Sequence, residues 1–441
     1  MERFVIQRLI EWKNDDNHKP LVIRGARQVG KTTLVNQFGK CFDNYLYLNL
    51  DRERDSQLFD VADTDTLIDR IHVHCKRRKT GGNTLLFIDE VQNSAQAIKM
   101  LRYFREDAPW LHVVAAGSLL EALLSRQATF PVGRVEYMAM HPCSFCEFLS
   151  GIGEDFDAQA VRTLRADAIH DRLMVHFLNY MLVGGMPEAV VRYAQRRDVL
   201  ATNRVYASLL NSYIDDVQKY ARNESMAAII RHVLREGWSA ASEPVVFNNF
   251  VGSNYRSREM GEALRVIEQA LLMELAYPVT SVQQPLAPNH RRRPKLFWLD
   301  TGLVNYCAGI RDEIFNVSDI MSAWRGRAAE HVVGQELIAE NDEFGLRRFY
   351  WTREKLDATS EVDFVFRYGN NIVPIEVKSG VNSHLRSLHQ FMDLAPHDVA
   401  VRVWSGRYTI DHVKTPKGKA FRLVNLPFYY VGQLAKVLET L

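Results

Sequence analysis

Gly25-Ala26-Arg27-Gln28-Val29-Gly30-Lys31-Thr32 decides the fold. It fits G-x-x-x-x-G-K-[ST], with the apolar run Leu21-Val22-Ile23 before it and Thr33-Leu34-Val35-Asn36-Gln37-Phe38, at helical spacing, after it. Strand, glycine-rich loop and helix in that order aim backbone N–H groups and a helix N-terminus at one point, which favours an anion there. Gly25 and Gly30 let the backbone turn and approach phosphates where a Cβ would obstruct. Ala26, Arg27, Gln28 and Val29 complete the loop, and Thr33 continues the helix start. Lys31 is placed to reach β- and γ-phosphates, and the Thr32 hydroxyl to sit on Mg²⁺.

Working outward, Tyr45–Leu50 reads as a strand, and 64–79 as a helix closing on Lys76-Arg77-Arg78-Lys79. Thr84-Leu85-Leu86-Phe87-Ile88-Asp89-Glu90 is a nearly continuous apolar run, as a parallel strand buried on both faces requires. Its two acids fall where the strand's carboxyl end would meet the phosphates: Asp89 to hold Mg²⁺ and Glu90 to polarise the attacking water. Leu111–Ala116 is a further buried strand running into Gly117-Ser118. Ser118 either senses the γ-phosphate or caps the helix 119–125, and the two roles are compatible. Arg134, and with less support Arg126, would serve as an arginine finger; a local salt bridge is the alternative. Strands alternating with helices predict an α/β fold with a parallel sheet covered on both faces.

Length and composition bound the rest. At 441 residues, with 47% apolar and 24% charged side chains, the chain is long enough for about three folded domains. A net charge of +2 excludes a global basic field, so any nucleic-acid site must be local. Five cysteines point to a reducing compartment rather than a disulfide framework. Cys143-Ser144-Phe145-Cys146, near His141, is a lone C-x-x-C that reads as semi-buried thiols on a helix before it reads as zinc or redox chemistry. Residues 1–12 form an amphipathic helix rather than a signal peptide, and no apolar stretch is long enough to span a membrane. A cytoplasmic protein is expected.

The pairing of Gly-Ala-Arg-Gln-Val-Gly-Lys-Thr with Phe-Ile-Asp-Glu-Val-Gln, then Gly-Ser, Gly-Arg-Val and Pro-Cys-Ser-Phe-Cys-Glu-Phe-Leu, resembles a large prokaryotic group of AAA-type ATPases. That group continues into a C-terminal region catalogued as a domain of unknown function (DUF4143). Gly184-Gly185-Met186-Pro187-Glu188 and Leu299-Asp300-Thr301-Gly302-Leu303 resemble that region. The resemblance implies Lys31, Thr32, Asp89 and Glu90 as the nucleotide site, ATP with Mg²⁺ as cofactors, and sites completed between subunits of a homo-oligomer. The group's sensor strand commonly ends Thr-Gly-Ser, whereas this one ends Ala116-Gly117-Ser118.

Four segments are expected: an ATPase core over 1–155, a helical lid over 156–222, a winged helix-turn-helix over 223–322 and a nuclease-like domain over 323–441. The winged helix rests on helices over 226–236, 246–253 and 259–272, followed by strands over 273–279 and 295–299. His290-Arg291-Arg292-Arg293-Pro294-Lys295, the densest basic run, lies between those strands; Arg291, Arg292, Arg293 and Lys295 would contact nucleic-acid phosphates, DNA more than RNA. The alternative is a module that grips protein. Downstream, a helix over 324–340, strands over 348–351, 362–367 and 372–378, a helix over 384–394 and a strand over 399–404 resemble the core order of the PD-(D/E)XK nuclease fold. Glu376 and Lys378 share a strand face, and Asp363 on the neighbouring strand can join them. Asp363 and Glu376 would hold Mg²⁺ and Lys378 would orient water. Glu330 resembles that fold's additional acid, with Glu336 competing, and Gln390 would complete the pocket. The function expected is an Mg²⁺-dependent ATPase coupled to a nucleic-acid-directed C-terminal half, with or without nuclease activity. The rival is an ATP switch with a protein partner and a silent nuclease-like domain.

Overall fold

The computed structural model describes residues 3–61, 63–79, 83–117, 133–309, 323–354, 360–378 and 385–441, with backbone only for 323–325. Five parallel strands build the first sheet: β1 (Leu21–Arg24), β2 (Asn44–Asn49), β3 (Thr84–Asp89), β4 (His112–Gly117) and β5 (Glu136–Ala139), in the order β2-β3-β4-β1-β5. Every residue of β1 and β3 is buried, because alternate side chains enter two different cores. Ile23, Phe87 and Val114 pack with the helices Ile6–Lys13 and Lys31–Phe38. Val22, Ile88 and Val113 pack with Thr64–His74 and Ala95–Asp107 on the other face. This is the expected P-loop arrangement. The helix expected over 64–79 stops at His74, where Lys76 takes a left-handed φ of 53° and leaves the basic cluster outside the helix.

The helices His170–Val183 and Pro187–Arg196 flank the Gly184–Met186 break, with Pro187 at the first helical position. Farther on, the helices Glu224–Glu236 and Ser257–Gln269 precede an antiparallel pair, β6 (Met273–Ala276) with β8 (Lys295–Trp298). The middle helix expected over 246–253 is only a single turn, Phe250–Gly252. Asn249, Val251 and Gly252 all adopt positive φ there, which no α-helix accommodates. Between β6 and β8, β7 (Pro278–Val279) leaves the pair and joins the C-terminal sheet.

That sheet has seven strands in the order β13-β14-β12-β11-β10-β9-β7. β9 (Phe349–Thr352), β10 (Glu361–Tyr368) and β11 (Asn371–Val377) are antiparallel, and β12 (Val399–Trp404) joins β11 in parallel after the helix Arg386–Leu394. The expected elements are all present. Two further strands, β13 (Thr409–Lys414) and β14 (Ala420–Pro427), extend the sheet. The helix Ala323–Ala339 packs beneath it, sending Ala328, Val332 and Val333 into a core that also holds Leu34, Tyr180, Leu234 and Val424. One cluster of buried apolar residues therefore runs through all four expected segments.

Asp300 sits at the centre. It is fully buried, caps the helix Thr301–Cys307 by accepting from Leu303 N at 2.9 Å, and accepts from Gly185 N and the Tyr206 hydroxyl at 2.5 and 3.0 Å. Asp300→Ala strands those buried donors, so urea unfolding should show a loss of about 3 kcal/mol. A loss below about 1 kcal/mol would mean that water replaces the carboxylate.

Candidate functional site

The phosphate loop leaves the carboxyl end of β1 and turns through left-handed φ values at Gln28 (66°) and Gly30 (99°) before the helix Lys31–Phe38 begins. A Cβ on Gly25 would lie 2.4 Å from the Met140 carbonyl oxygen, so packing against the chain leaving β5 already requires glycine there. Ala26 and Val29 are buried, while Arg27, Gln28 and Thr33 are exposed. Lys31 Nζ donates to the carbonyls of Gly25 and Ala26, each at 2.9 Å. Burial lowers the Lys31 pKa to about 8, against the upward pull of Glu90 and Asp89. Thr32 Oγ1 donates to Asp89 Oδ2 at 2.8 Å, and the Tyr47 hydroxyl reaches the same oxygen at 3.4 Å. Burial pushes the Asp89 and Glu90 carboxyls up; Thr32 draws the first back and Gln92, whose amide donates to Glu90, the second. Two oxygens side by side, a buried lysine amine and a half-buried carboxylate at the mouth of a glycine loop fit a magnesium nucleotide.

Two participants, Arg3 and Asp216, were missed in the sequence. Buried Arg3 donates to the Val29 carbonyl at 2.8 Å and the His141 carbonyl at 2.7 Å, and pairs with Glu147 at 3.0 Å, so it clamps the loop from behind. Arg27 pairs with Asp216. Neither partner lies near in sequence, so no local signal could have found them. Ser118 and Arg126 fall outside the described residues. Arg134 is not beside its own phosphate loop. In the parallel register Glu136 faces Leu21, so Arg134 lies at the amino edge of the sheet, paired with Glu106 at 3.0 Å, while the loop leaves the opposite edge. Cys143 and Cys146 are both buried, burial pushes the Cys143 thiol up to about 12, and Cys143 precedes the helix Phe145–Gly151.

The C-terminal acids do meet. Lys378 Nζ lies 2.8 Å from Glu376 Oε1, and Asp363 Oδ2 accepts from Val377 N at 2.7 Å. Glu330 joins them through Lys295, which overturns the placement of Lys295 among the surface arginines. Lys295 opens β8 with its side chain turned inward, 2% exposed, its Nζ 2.6 Å from both Glu330 and Glu361 and 4.0 Å from Asp363. Burial alone would lower the Lys295 pKa, but Glu330, Glu361 and Asp363 together raise it. Burial lifts Glu330 to about 8 and Glu376 to about 7, and Glu376 Oε2 has no partner. Glu336 is elsewhere, accepting from Phe145 N at 2.9 Å and from the Tyr180 hydroxyl at 2.7 Å. Gln390 is half-buried with an unpartnered Oε1. Lys295 thus serves Glu330 and Glu361, while Asp363 and Glu376, the expected metal ligands, meet beside Lys378 with one Glu376 oxygen left over. Arg291 and Arg293 are exposed, and Arg292 donates to the Glu354 carbonyl at 2.8 Å. Among the described residues, the His, Cys and acidic ligand atoms that gather closely enough for a metal are those of Glu154, Asp157 and His176.

A family model described as an AAA domain matches residues 17–149, and two domains of unknown function match 174–314 (DUF8612) and 325–427 (DUF4143). The chain carries an AAA domain and a C-terminal DUF4143 region. The Gly184–Glu188 and Leu299–Leu303 stretches, assigned above to DUF4143, fall instead within the DUF8612 match. No curated protein matches the chain. Among solved structures it is similar to the Walker-type ATPase PABY2304 of Pyrococcus abyssi, at 12% identity over 69% of this chain and 94% of that one, TM-score 0.40. Another is the ORC1 protein of Aeropyrum pernix in complex with DNA, at 11% identity over 71% and 93%, TM-score 0.27. Among the described residues no helix is long and apolar enough to cross a membrane.

Nucleotide phosphates beside Lys31 should restore its charge. Above pH 8 the empty site holds Lys31 mostly neutral, so binding of ADP should take up a proton, approaching one at about pH 9 and none below about pH 7. Without nucleotide the unfolded chain keeps that proton to higher pH than the folded one, so stability rises with pH above 8. Titration calorimetry in two buffers of different ionisation enthalpy checks the uptake; equal heats at pH 9 would contradict it.

Proposed function

We propose that the chain is an Mg²⁺-dependent ATPase whose nucleotide state is coupled to a nucleic-acid-directed C-terminal half. The observation that carries the first part is the meeting of Lys31, Thr32, Asp89 and Glu90 at the glycine loop. Loop N–H groups and Lys31 hold the β- and γ-phosphates, and Thr32 and Asp89 would hold magnesium, which neutralises phosphate charge when bound. Glu90 orients water and takes its proton as the new P–O bond forms and the bond to the ADP oxygen breaks. Its raised pKa brings that carboxylate closer to neutral pH, where a base is more effective.

For the second part the support is the Arg291–Arg293 run, exposed at Arg291 and Arg293, beside two helices and a two-stranded antiparallel pair that make a partial winged helix. Segments 1–155, 156–222, 223–322 and 323–441 are our working division. Lys295 favours the second reading of the nuclease-like end: a domain that holds its partner, nucleic acid or protein, without cutting it. Arg134, on an exposed edge, suits a role in the site of a neighbouring copy, which a cytoplasmic homo-oligomer would supply.

ATP hydrolysis measured with Mg²⁺ and duplex DNA, single-stranded DNA or RNA should be stimulated by one of them and abolished by Glu90→Gln. Turnover indifferent to all three would falsify the coupling and leave a protein-directed switch. In the same preparations plasmid nicking should not exceed that of a Lys378→Ala control; nicking above it would restore the nuclease.

A further inference from the structure

The phosphate loop carries a second cation besides Lys31. Arg27 donates through Nη1 to Oδ2 of Asp216, at the junction of the helices Asn203–Asp215 and Val217–Tyr220. The other carboxylate oxygen, Oδ1, is held by Lys219 Nζ at 2.7 Å. The Asp216 side chain is 9% exposed and that of Arg27 43%. The same helices touch the loop a second time: the Tyr213 hydroxyl reaches the Arg27 carbonyl at 3.4 Å, and the Tyr220 hydroxyl braces Tyr213 at 2.9 Å. Arg27 also acts on the groups that would surround the γ-phosphate. Asp216 raises its pKa most, with Glu90 and Asp51 adding, and its charge in turn lowers that of Lys31.

Three constraints meet at this residue. Charge that builds on a transferring phosphoryl group needs a fixed cation close by. Arg134, the sequence candidate, lies at the opposite edge of the sheet. Arg27 is anchored in the loop that holds the phosphates, near enough to Glu90 and Lys31 for the charges to act on one another. Its departure does not leave a buried carboxylate unpaired, because Lys219 stays on Oδ1. We propose that Arg27 is a catalytic residue on the γ-phosphate, held by Asp216 when nucleotide is absent, and that its transfer loosens residues 216–220 from the loop. The inference rests on the ATPase reading of the same site. No proton or electron moves at Arg27: it gains hydrogen bonds to the phosphate, while water's oxygen bonds phosphorus, the bridging bond breaks and the proton goes to Glu90.

The test uses the full chain as wild type, Arg27→Ala, Arg27→Lys and Asp216→Asn. Arg27→Ala should lower kcat at least about 100-fold with ADP affinity within about threefold, and Arg27→Lys should recover part of the loss. Asp216→Asn, which loosens the hold on Arg27, should raise kcat about fivefold, the equivalent of one weak ion pair. Hydrogen exchange supplies a readout independent of turnover. In a Glu90→Gln background, ATP but not ADP should speed exchange over 216–220, and Asp216→Asn should make it fast without nucleotide. A kcat for Arg27→Ala within threefold of wild type, or exchange over 216–220 identical with and without ATP, overturns the proposal. Wild type that binds ATP, shows the exchange change and never turns over would sink the ATPase reading while leaving Arg27 as a γ-phosphate contact.

Discussion

A carboxylate taken out of water persists only where donors meet it, and three such groups hold this chain together. Glu147 is met by Arg3 and by the backbone N–H groups of Phe4 and Ser144. Glu336 is met by Phe145 N and the Tyr180 hydroxyl, and Asp300 by Gly185 N, Leu303 N and the Tyr206 hydroxyl. Every one joins segments distant in sequence, and removing a donor leaves a buried polar group unmet. The glycines nearby follow from the same contacts. A Cβ on Gly302 would stand 2.1 Å from the Val183 carbonyl, and one on Gly185 2.3 Å from that of Cys143. Gly184-Gly185 and Gly302 are small because two halves of the chain press together there.

How much of this was legible in the sequence depends on whether the chemistry is contiguous. The phosphate loop was legible because eight consecutive residues carry it, and Asp89-Glu90 because a fully buried parallel strand writes itself as an apolar run. Arg3 and Asp216 were not, since each reaches the loop only through tertiary packing. Lys295 was misjudged for a physical reason. It follows Pro294 at the start of β8, a strand buried at every position, so its side chain is enclosed although Arg293, just before Pro294, is exposed. The choice between Glu330 and Glu336 was open to simple geometry. Six residues along a helix is a rotation of about 600°, which puts the two side chains on different faces. Only one could join Asp363, and the other serves the buried network.

That division of faces gives the helix Ala323–Ala339 two attachments. Glu336 and, just beyond the helix, Glu340 tie it to Phe145 and Ser144 of the AAA domain, while Glu330 ties it to Lys295 and the C-terminal acids. Gln335 adds a link to Thr301 and Tyr180. Gly25 and Ala26 share the lining of a cavity of about 500 Å³ with Phe297, Gln335 and Arg348, so the loop faces this helix and its neighbours across that space.

A shared rigid element is necessary for coupling two sites but not sufficient, since packed interiors transmit a change only where some contact has two stable arrangements. The carboxylates of the central network lack that freedom: Asp300 and Glu336 are buried and their donors are backbone N–H groups or locked hydroxyls. The Arg27–Asp216 pair has it. One partner is half-exposed, the other keeps a second cation, and the guanidinium stands beside the groups a γ-phosphate would join. Rigid links at the centre and an exchangeable ion pair at the loop are the combination that lets a local change of charge become a movement of helices.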